Sequence, residues 1–206
     1  MNQKERILQT IQRKKPDRPP ILGGWLAAMG QGNAIVLAAI LGAMIAFDMG
    51  GPVNKAAFFF GAAMIKEGNF AVMGACAAAI CTPPLGLALA TLVGRSQWSE
   101  EQRESGLAAL AMGMVGITEG AIPFAAADPV RVIPSIMVGS MVASTIAMLG
   151  KVGDHAPHGG PIVLPVVDNR LVYVVAIVAG AAVTAFTINL VKKLTEKPVA
   201  APGAAR

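Results

Sequence analysis

The sequence predicts an all-α polytopic membrane protein with about four full transmembrane helices and two broken or re-entrant segments. Three observations carry that expectation. Of the 206 residues, 54% are hydrophobic and only 14% charged, with a mean hydropathy of +0.59. Soluble domains carry about 25% charged residues, so nearly half the polar surface a globule needs is missing. The apolar residues fall in runs, several long enough to cross ~30 Å of hydrocarbon at ~1.5 Å per residue. Finally, 23 glycines and 14 prolines interrupt those runs, more than plain spanning helices need. Aromatic residues make up 5% of the chain, a poor fit to a porin-type barrel with its aromatic girdles.

Taken in order, residues 1–20 read as a basic N-terminal tail. Ile7, Leu8 and Ile11 line one face of a short amphipathic helix, which Lys-Lys-Pro-Asp-Arg-Pro-Pro at 14–20 ends. No charge follows until Asp48, and Ala34 to Phe47 is expected to be the end of a transmembrane helix. Asp48 opens Met-Gly-Gly-Pro-Val-Asn-Lys at 49–55, and the apolar stretch 56–65 beyond it is too short to span. Phe70 to Val93 is long enough, although Pro83-Pro84 is expected to break or kink it. Residues 95–104, with Trp98 and three glutamates, read as an aqueous loop. Residues 106–118 are again half a membrane thickness, ending at Glu119-Gly120 before a second short piece at 121–127. Val132 to Leu149 is a span, 151–170 a loop with both histidines, and Leu171 to Val191 the last span. The organisation is therefore a tail at 1–20, a membrane domain at 21–191 and a disordered tail at 192–206.

The two broken segments, 49–65 and 106–127, carry the functional reading. Unwound backbone in lipid costs several kcal/mol per unpaired group, so it persists where it is buried in protein or lines a polar cavity. Paired Gly/Pro-interrupted segments point to the binding site of a carrier. Glu119 has no compensating charge within eight residues. An isolated carboxylate there costs at least ~2.5–3.5 kcal/mol, so it is expected to face a cavity, where it can accept two hydroxyl hydrogen bonds. Gly120 beside it lets backbone approach a ligand. The bland alternative is a helix-capping glutamate at the interface. Asp48, Asn54 and Lys55 form a second polar cluster, read either as the other cavity wall or as a helix end with a snorkelling lysine.

Other classes are poorly supported. Six of the 17 basic residues lie in the first 18 positions, and Lys192, Lys193, Lys197 and Arg206 follow the last span. The net charge of +5 is thus two basic tails, with no Lys/Arg stripe interleaved with aromatics for nucleic acid. By the positive-inside rule both termini are expected to be cytoplasmic. Asp154, His155 and His158 are a weak metal set, better read as a gating or surface loop. Cys76 and Cys81 point about 140° apart on a helix and read as packing residues. Gly150-Lys151 lacks the upstream glycine of a phosphate-binding loop, so no cofactor is expected.

Four stretches together are more specific. Phe47-Asp48-Met49-Gly50-Gly51-Pro52-Val53-Asn54-Lys55, Pro83-Pro84-Leu85-Gly86, Gly116-Ile117-Thr118-Glu119-Gly120-Ala121-Ile122-Pro123-Phe124 and Asp128-Pro129-Val130-Arg131 occur in that order. They closely resemble the membrane subunit, enzyme IIC, of fructose-type permeases in the bacterial phosphoenolpyruvate-dependent sugar phosphotransferase system. The resemblance runs from about Trp25 to Val191 and is strongest to stand-alone fructose-like IIC components. Relative to that family the chain looks N-terminally truncated, like the transport-domain half of a larger permease, and 1–20 is unlike it.

The resemblance implies an inner-membrane component that binds a fructose-like sugar and carries it inward. A phosphocysteine on enzyme IIB then phosphorylates the sugar, with IIA upstream, so the complex is a phosphohistidine–sugar phosphotransferase. No phosphoryl carrier or catalytic residue is expected in this chain. It further implies that Thr118 and Glu119 contact sugar hydroxyls and that Asp48, Asn54, Lys55 and His158 line the site. A homodimer is the family expectation. The alternative is a transport-inactive remnant, or one half of a split permease.

Overall fold

The structure is a computed structural model that describes residues 34–195. The expected helix within 1–20, the start of the resemblance near Trp25 and the tail beyond 195 lie outside the described residues. Among the described residues the chain is all-α. Its helices are α1 (Ala34–Phe47), α2 (Pro52–Lys66), α3 (Phe70–Val93), α4 (Glu100–Val115), α5 (Ile122–Ala127), α6 (Pro129–Leu149) and α7 (Arg170–Thr195). Short 3-10 turns at Arg95–Gln97, Thr118–Ala121 and Pro161–Val166 join them.

Among the described residues three helices, α3, α6 and α7, are long and apolar enough to cross a membrane. The central one is α3, whose apolar stretch is 78% buried against 44% for each of the others. Small residues set the spacing. Gly86 of α3 and Gly139 of α6 both press on Thr184 of α7, and Gly180 of α7 faces Ala143 and Thr82. Apolar side chains gain little from one another in lipid, so close backbone approach at such small residues drives helix association. These contacts make α7 parallel to α3 and antiparallel to α6.

A fourth apolar helix among the described residues, α1, covers 14 of them, about 21 Å at ~1.5 Å per residue. Its partners fix its depth. The Ser144 hydroxyl donates to the Ala38 carbonyl at 2.7 Å, Gly42 abuts the Ser140 backbone, and Ser140 Oγ reaches the Ala79 carbonyl at 3.4 Å. Residue 42 is thus level with residue 79, and Phe47 lies near the midpoint of α3. From there α2 turns back, with Ala57 beside Cys76 and Gly61 between Met73 and Cys76. Helices α1 and α2 form a hairpin that enters and leaves at the N-terminal end of α3.

A second hairpin enters from the opposite end. Gly106 packs on Thr91, Gly113 on Leu85, and the Thr118 hydroxyl donates to the Ile80 carbonyl at 3.0 Å, so α4 descends to mid-height. There Gly116 takes φ +80, a left-handed conformation that ends the helix. Short α5 returns, bringing Phe124 edge-on to Trp98 with ring centroids 5.7 Å apart. The expected broken segment 49–65 is the tip and return arm of the first hairpin, and 106–127 covers most of the descending arm, the tip and the return arm of the second.

Three local expectations are corrected. Pro83-Pro84 neither ends nor interrupts α3, which runs unbroken from Phe70 to Val93. Each proline removes the amide that would bond the carbonyl four residues back. Those carbonyls belong to Ala79 and Ile80, and each receives a hydroxyl instead, from Ser140 and Thr118. Residues 95–104 are not an aqueous loop. Ser99 and Gln102 form a capping box that starts α4, with Glu100 and Glu101 in its first turn, where the helix dipole favours acidic groups. Trp98 is buried, donating from Nε1 to Asn189 at 2.8 Å beneath the Lys192 ammonium, 4.1 Å from the ring centroid. That contact also carries α7 to Thr195, beyond the expected end at Val191.

The proline account makes a double-mutant prediction. Thr118→Val strands the Ile80 carbonyl and lowers thermal stability in detergent by about 1–3 kcal/mol. Adding Pro84→Ala, which supplies the missing amide, recovers part of that loss. Additive losses would refute the compensation.

Candidate functional site

The first hairpin turns through Asp48-Met49-Gly50-Gly51, with Met49 at φ 46 and Gly50 at φ 111. Such angles suit glycine at Gly50, and the lack of a side chain there admits the Glu119 carboxylate. Asp48 closes the turn. Its two oxygens accept from the Val53 and Asn54 amides, both at 2.8 Å. These are among the amides a helix leaves unpaired at its start, and the negative charge suits that end of the dipole. Pro52 occupies the first turn of α2, where no amide is lost. Asn54, buried, donates to the Ile45 carbonyl at 2.6 Å and stitches the two arms together.

The second hairpin brings its own tip to the same level. Thr118 is buried with its hydroxyl on Ile80, and the next residue, Glu119, reaches Lys55 with Oε1 3.8 Å from Nζ. Both side chains keep substantial exposure, 49% for Lys55 and 41% for Glu119. The contact is therefore a loose pair into which a hydrogen-bonding group can insert. A cavity of about 240 Å³ opens between the tips, lined by Asn54, Lys55, Phe58, Ile80, Gly116, Ile117, Thr118, Glu119 and His158. Two larger cavities lie at the C-terminal end of α3, one against the start of α4 and one against the C-terminal half of α7, but neither touches a hairpin tip.

The α6–α7 loop supplies the remaining wall. His158 Nε2 lies 2.7 Å from the Val115 carbonyl; since a carbonyl only accepts, Nε2 carries the proton. The Gly160 amide donates to the Ala77 carbonyl at 3.2 Å, and the Tyr173 hydroxyl donates to the Gly160 carbonyl at 3.0 Å. Beneath this strap Asp154 is fully buried, with Oδ1 accepting from the Ala156 amide at 2.9 Å and Oδ2 unpartnered. Burial pushes its pKa up to about 6, opposed by the Ala156 amide and by the charges of His155 and His158. His155 instead pairs with Asp168 at 2.8 Å and lies against Phe70.

Of the residues singled out in the sequence, Glu119, Thr118, Asn54, Lys55 and His158 meet at one cavity. Asp48 stands behind it as the cap of α2, and Gly120 packs away from it against Pro84, Met112 and Ala109. Sequence reasoning missed Phe58, Ile80, Gly116 and Ile117. Phe58 lies four residues after Asn54 on the same helix face, and Ile80 lies four before Pro84, both readable signals. Among the described residues no group of three or more His, Cys, Asp or Glu side chains could hold a metal ion. Cys76 and Cys81 are buried in α3 against helix carbonyls.

Comparison with known proteins separates this arrangement from a generic helical membrane protein. The fructose-like permease IIC component 2 of Escherichia coli (strain K12) is 54% identical over 173 residues, 84% of this chain and 48% of that protein. The fructose permease IIC component of Bacillus amyloliquefaciens is 48% identical over 176 residues, 85% of this chain and 58% of its own. This chain is homologous to fructose-type permease IIC components. The PTS system fructose-specific EIIABC component of Bacillus subtilis (strain 168), in which the matched region is 28% of the protein, is 48% identical over 177 residues. The chain therefore spans between about a quarter and three fifths of the IIC relatives it matches. No family model and no solved structure matches it.

Two predictions follow from the geometry. Because the Asp154 pKa is raised to about 6 from its ordinary ~3.9, the fold favours the protonated acid. That stabilisation is complete below pH ~4 and is lost as pH rises through 6, amounting to about 3 kcal/mol. Asp154→Asn should remove this component, so the stability difference from wild type grows between pH 4 and 6 and is flat above 7. A difference independent of pH would exclude a buried titrating acid. At the first hairpin, Asp48→Ala should cost about 0.5–2 kcal/mol, with Asp48→Asn retaining much of the loss, as thermal unfolding in detergent would report.

Proposed function

We propose that this chain is the membrane component of a phosphotransferase-system permease that binds and translocates fructose or a fructose-like sugar. The observation that carries the reading is the meeting of two oppositely inserted hairpin tips at one polar cavity, with Glu119 and Lys55 across it. A sugar presents hydroxyls that both donate and accept. Glu119 accepts two of them, Lys55 donates, and the Asn54 and Thr118 oxygens have remaining lone pairs. A hydroxyl entering between Lys55 and Glu119 exchanges a loose pair for two charge-assisted bonds. Phe58, Ile80 and Ile117 give the sugar's C–H face an apolar bed.

In this reading Thr118 and Asn54 both hold backbone in place and offer acceptors, and His158 fastens the α6–α7 loop over the second tip. Asp48 and Gly120 support the site from behind. Phosphorylation is assigned to enzyme IIB, since several relatives carry IIB and IIC in one chain. The two cysteines of this chain lie within α3, away from the cavity. IIA stands upstream of IIB, and a homodimer is the expected assembly.

Lys/Arg asymmetry supports an orientation. Arg95, Arg103, Arg131, Lys192 and Lys193 lie at the end where α7 finishes, against Lys66, Lys151 and Arg170 at the other. The positive-inside rule then places the C-terminal end of α7 in the bacterial cytoplasm and the first hairpin on the periplasmic side. A cytoplasmic N-terminus, expected from its basic residues, then requires the chain ahead of Ala34 to cross the membrane, because α1 begins at the periplasmic end.

Sugar uptake and phosphorylation in vesicles supplied with IIA and IIB test the proposal. Wild type should accumulate sugar phosphate, and Glu119→Gln should lose about 10- to 100-fold, the worth of a charge-assisted bond. Equal rates for the two would remove Glu119 from the sugar site. No uptake by wild type, with or without the segments that only the longer relatives possess, would favour a transport-inactive remnant.

A further inference from the structure

A groove of about 380 Å³ runs between the C-terminal halves of α3 and α7, outside the hairpins and unused by the site above. Its floor is small, with Ala182 and Ala185, and its walls are apolar, with Leu89, Val93 and Phe186. The groove opens outward, since Val93 is 73% and Phe186 68% exposed. Its two helices are both full spans lying parallel, so it follows the direction in which acyl chains lie. From Ala182 to Lys193 it measures about 16 Å at ~1.5 Å per residue, the depth of one leaflet of a ~30 Å core.

The polar end differs from the rest. Lys193 is the one formally charged residue lining the groove, and it makes no ion pair among the described residues. Beside it Gln97 keeps a buried amide oxygen with no partner, so no bond of that oxygen prevents the amide from turning its NH2 toward an incoming acceptor. Asn189, the third polar rim residue, is committed to Trp98 and to the Ala90 carbonyl. Glu100 and Glu104 lie with Arg103 around the neighbouring cavity on the α4 side of the Arg95–Gln97 turn, not along this groove.

An apolar slot one leaflet deep, ending in an unpaired ammonium and a spare amide, has the complement of a phosphate headgroup on an acyl chain. We propose that the α3–α7 groove binds an anionic phospholipid, one chain lying over Ala182 and Ala185 and the phosphate held by Lys193 and Gln97. A zwitterionic lipid fits the slot but places its own cation near Lys193. Basic pockets between spanning helices select anionic headgroups for this reason.

Trp98 reports occupancy, because its indole is bonded to Asn189 on the rim. The full chain with Trp25→Phe, leaving Trp98 as the single tryptophan, is placed in phosphatidylcholine vesicles. A small fixed fraction of dibrominated phosphatidylglycerol, or of dibrominated phosphatidylcholine, is then added. Quenching should be several-fold stronger with the anionic lipid, and Lys193→Gln should reduce that preference about fivefold. Ala182→Phe, which fills the floor, should abolish quenching by both while helicity and thermal stability confirm the fold. Equal quenching by the two lipids, or a preference indifferent to Lys193→Gln, would mean ordinary boundary lipid and overturn the proposal. Reversal by inorganic phosphate or glycerol phosphate would overturn it in favour of a site for free phosphate. Loss of quenching at high protein density, with crosslinking through Phe186→Cys, would identify a second copy as the occupant instead.

Discussion

Two carbonyl oxygens in the middle of α3 govern this architecture. Pro83 and Pro84 deny the Ala79 and Ile80 carbonyls their helical amides, in the most buried of the three long apolar helices among the described residues. A bare carbonyl in such a place costs kcal/mol that a marginally stable fold cannot spare. The two hydroxyls that answer come from different directions. Ser140 draws α6 against α3, and Thr118 holds the unwound tip of the second hairpin at mid-height. Helix continuity and the position of Glu119 are therefore one requirement seen from two sides.

Around that point the polar groups follow a consistent division of labour. Buried Asn54, Thr118 and Ser144 are spent on backbone, on Ile45, Ile80 and Ala38, and half-buried Asp48 is spent on the first amides of α2. The two that stay partly exposed, Lys55 and Glu119, are held loosely and face the cavity. Interrupted helices need both sets, since ends placed in the interior must be capped before any group can be left for a ligand. The α6–α7 loop completes the arrangement with backbone bonds from Gly160 and the His158 contact to Val115.

Much of this was legible in the sequence because charge and hydropathy act locally. Glu119 alone among apolar residues and the short runs beside Asp48 pointed to broken segments, and the order of the motifs pointed to the family. What escaped was tertiary. The prolines announced a break, and only the arrival of Ser140 and Thr118 from elsewhere in the chain spared α3. The glutamates after Trp98 suggested water, although Ser99-Glu-Glu-Gln102 also spelled a capping box. The depth of α1 could not be read at all, since an apolar helix ending at mid-height has the same composition as the last turns of one that crosses. Gly120 illustrates the converse, a residue in the right motif whose surroundings turn it toward packing.

The Ser144–Ala38 bond has a consequence for biosynthesis. Its donor is made 106 residues after its acceptor, and a chain grows by roughly 5–20 residues per second. For roughly 5 to 20 s, then, α1 exists without the helix that holds it. Through that interval the turn between α1 and α2 is held by bonds within the pair itself, from Asn54 to the Ile45 carbonyl and from the Val53 and Asn54 amides to Asp48. The first hairpin is thus a local unit before it is a tertiary one, and it gains its hydroxyl anchor to α6 only once that helix has been made.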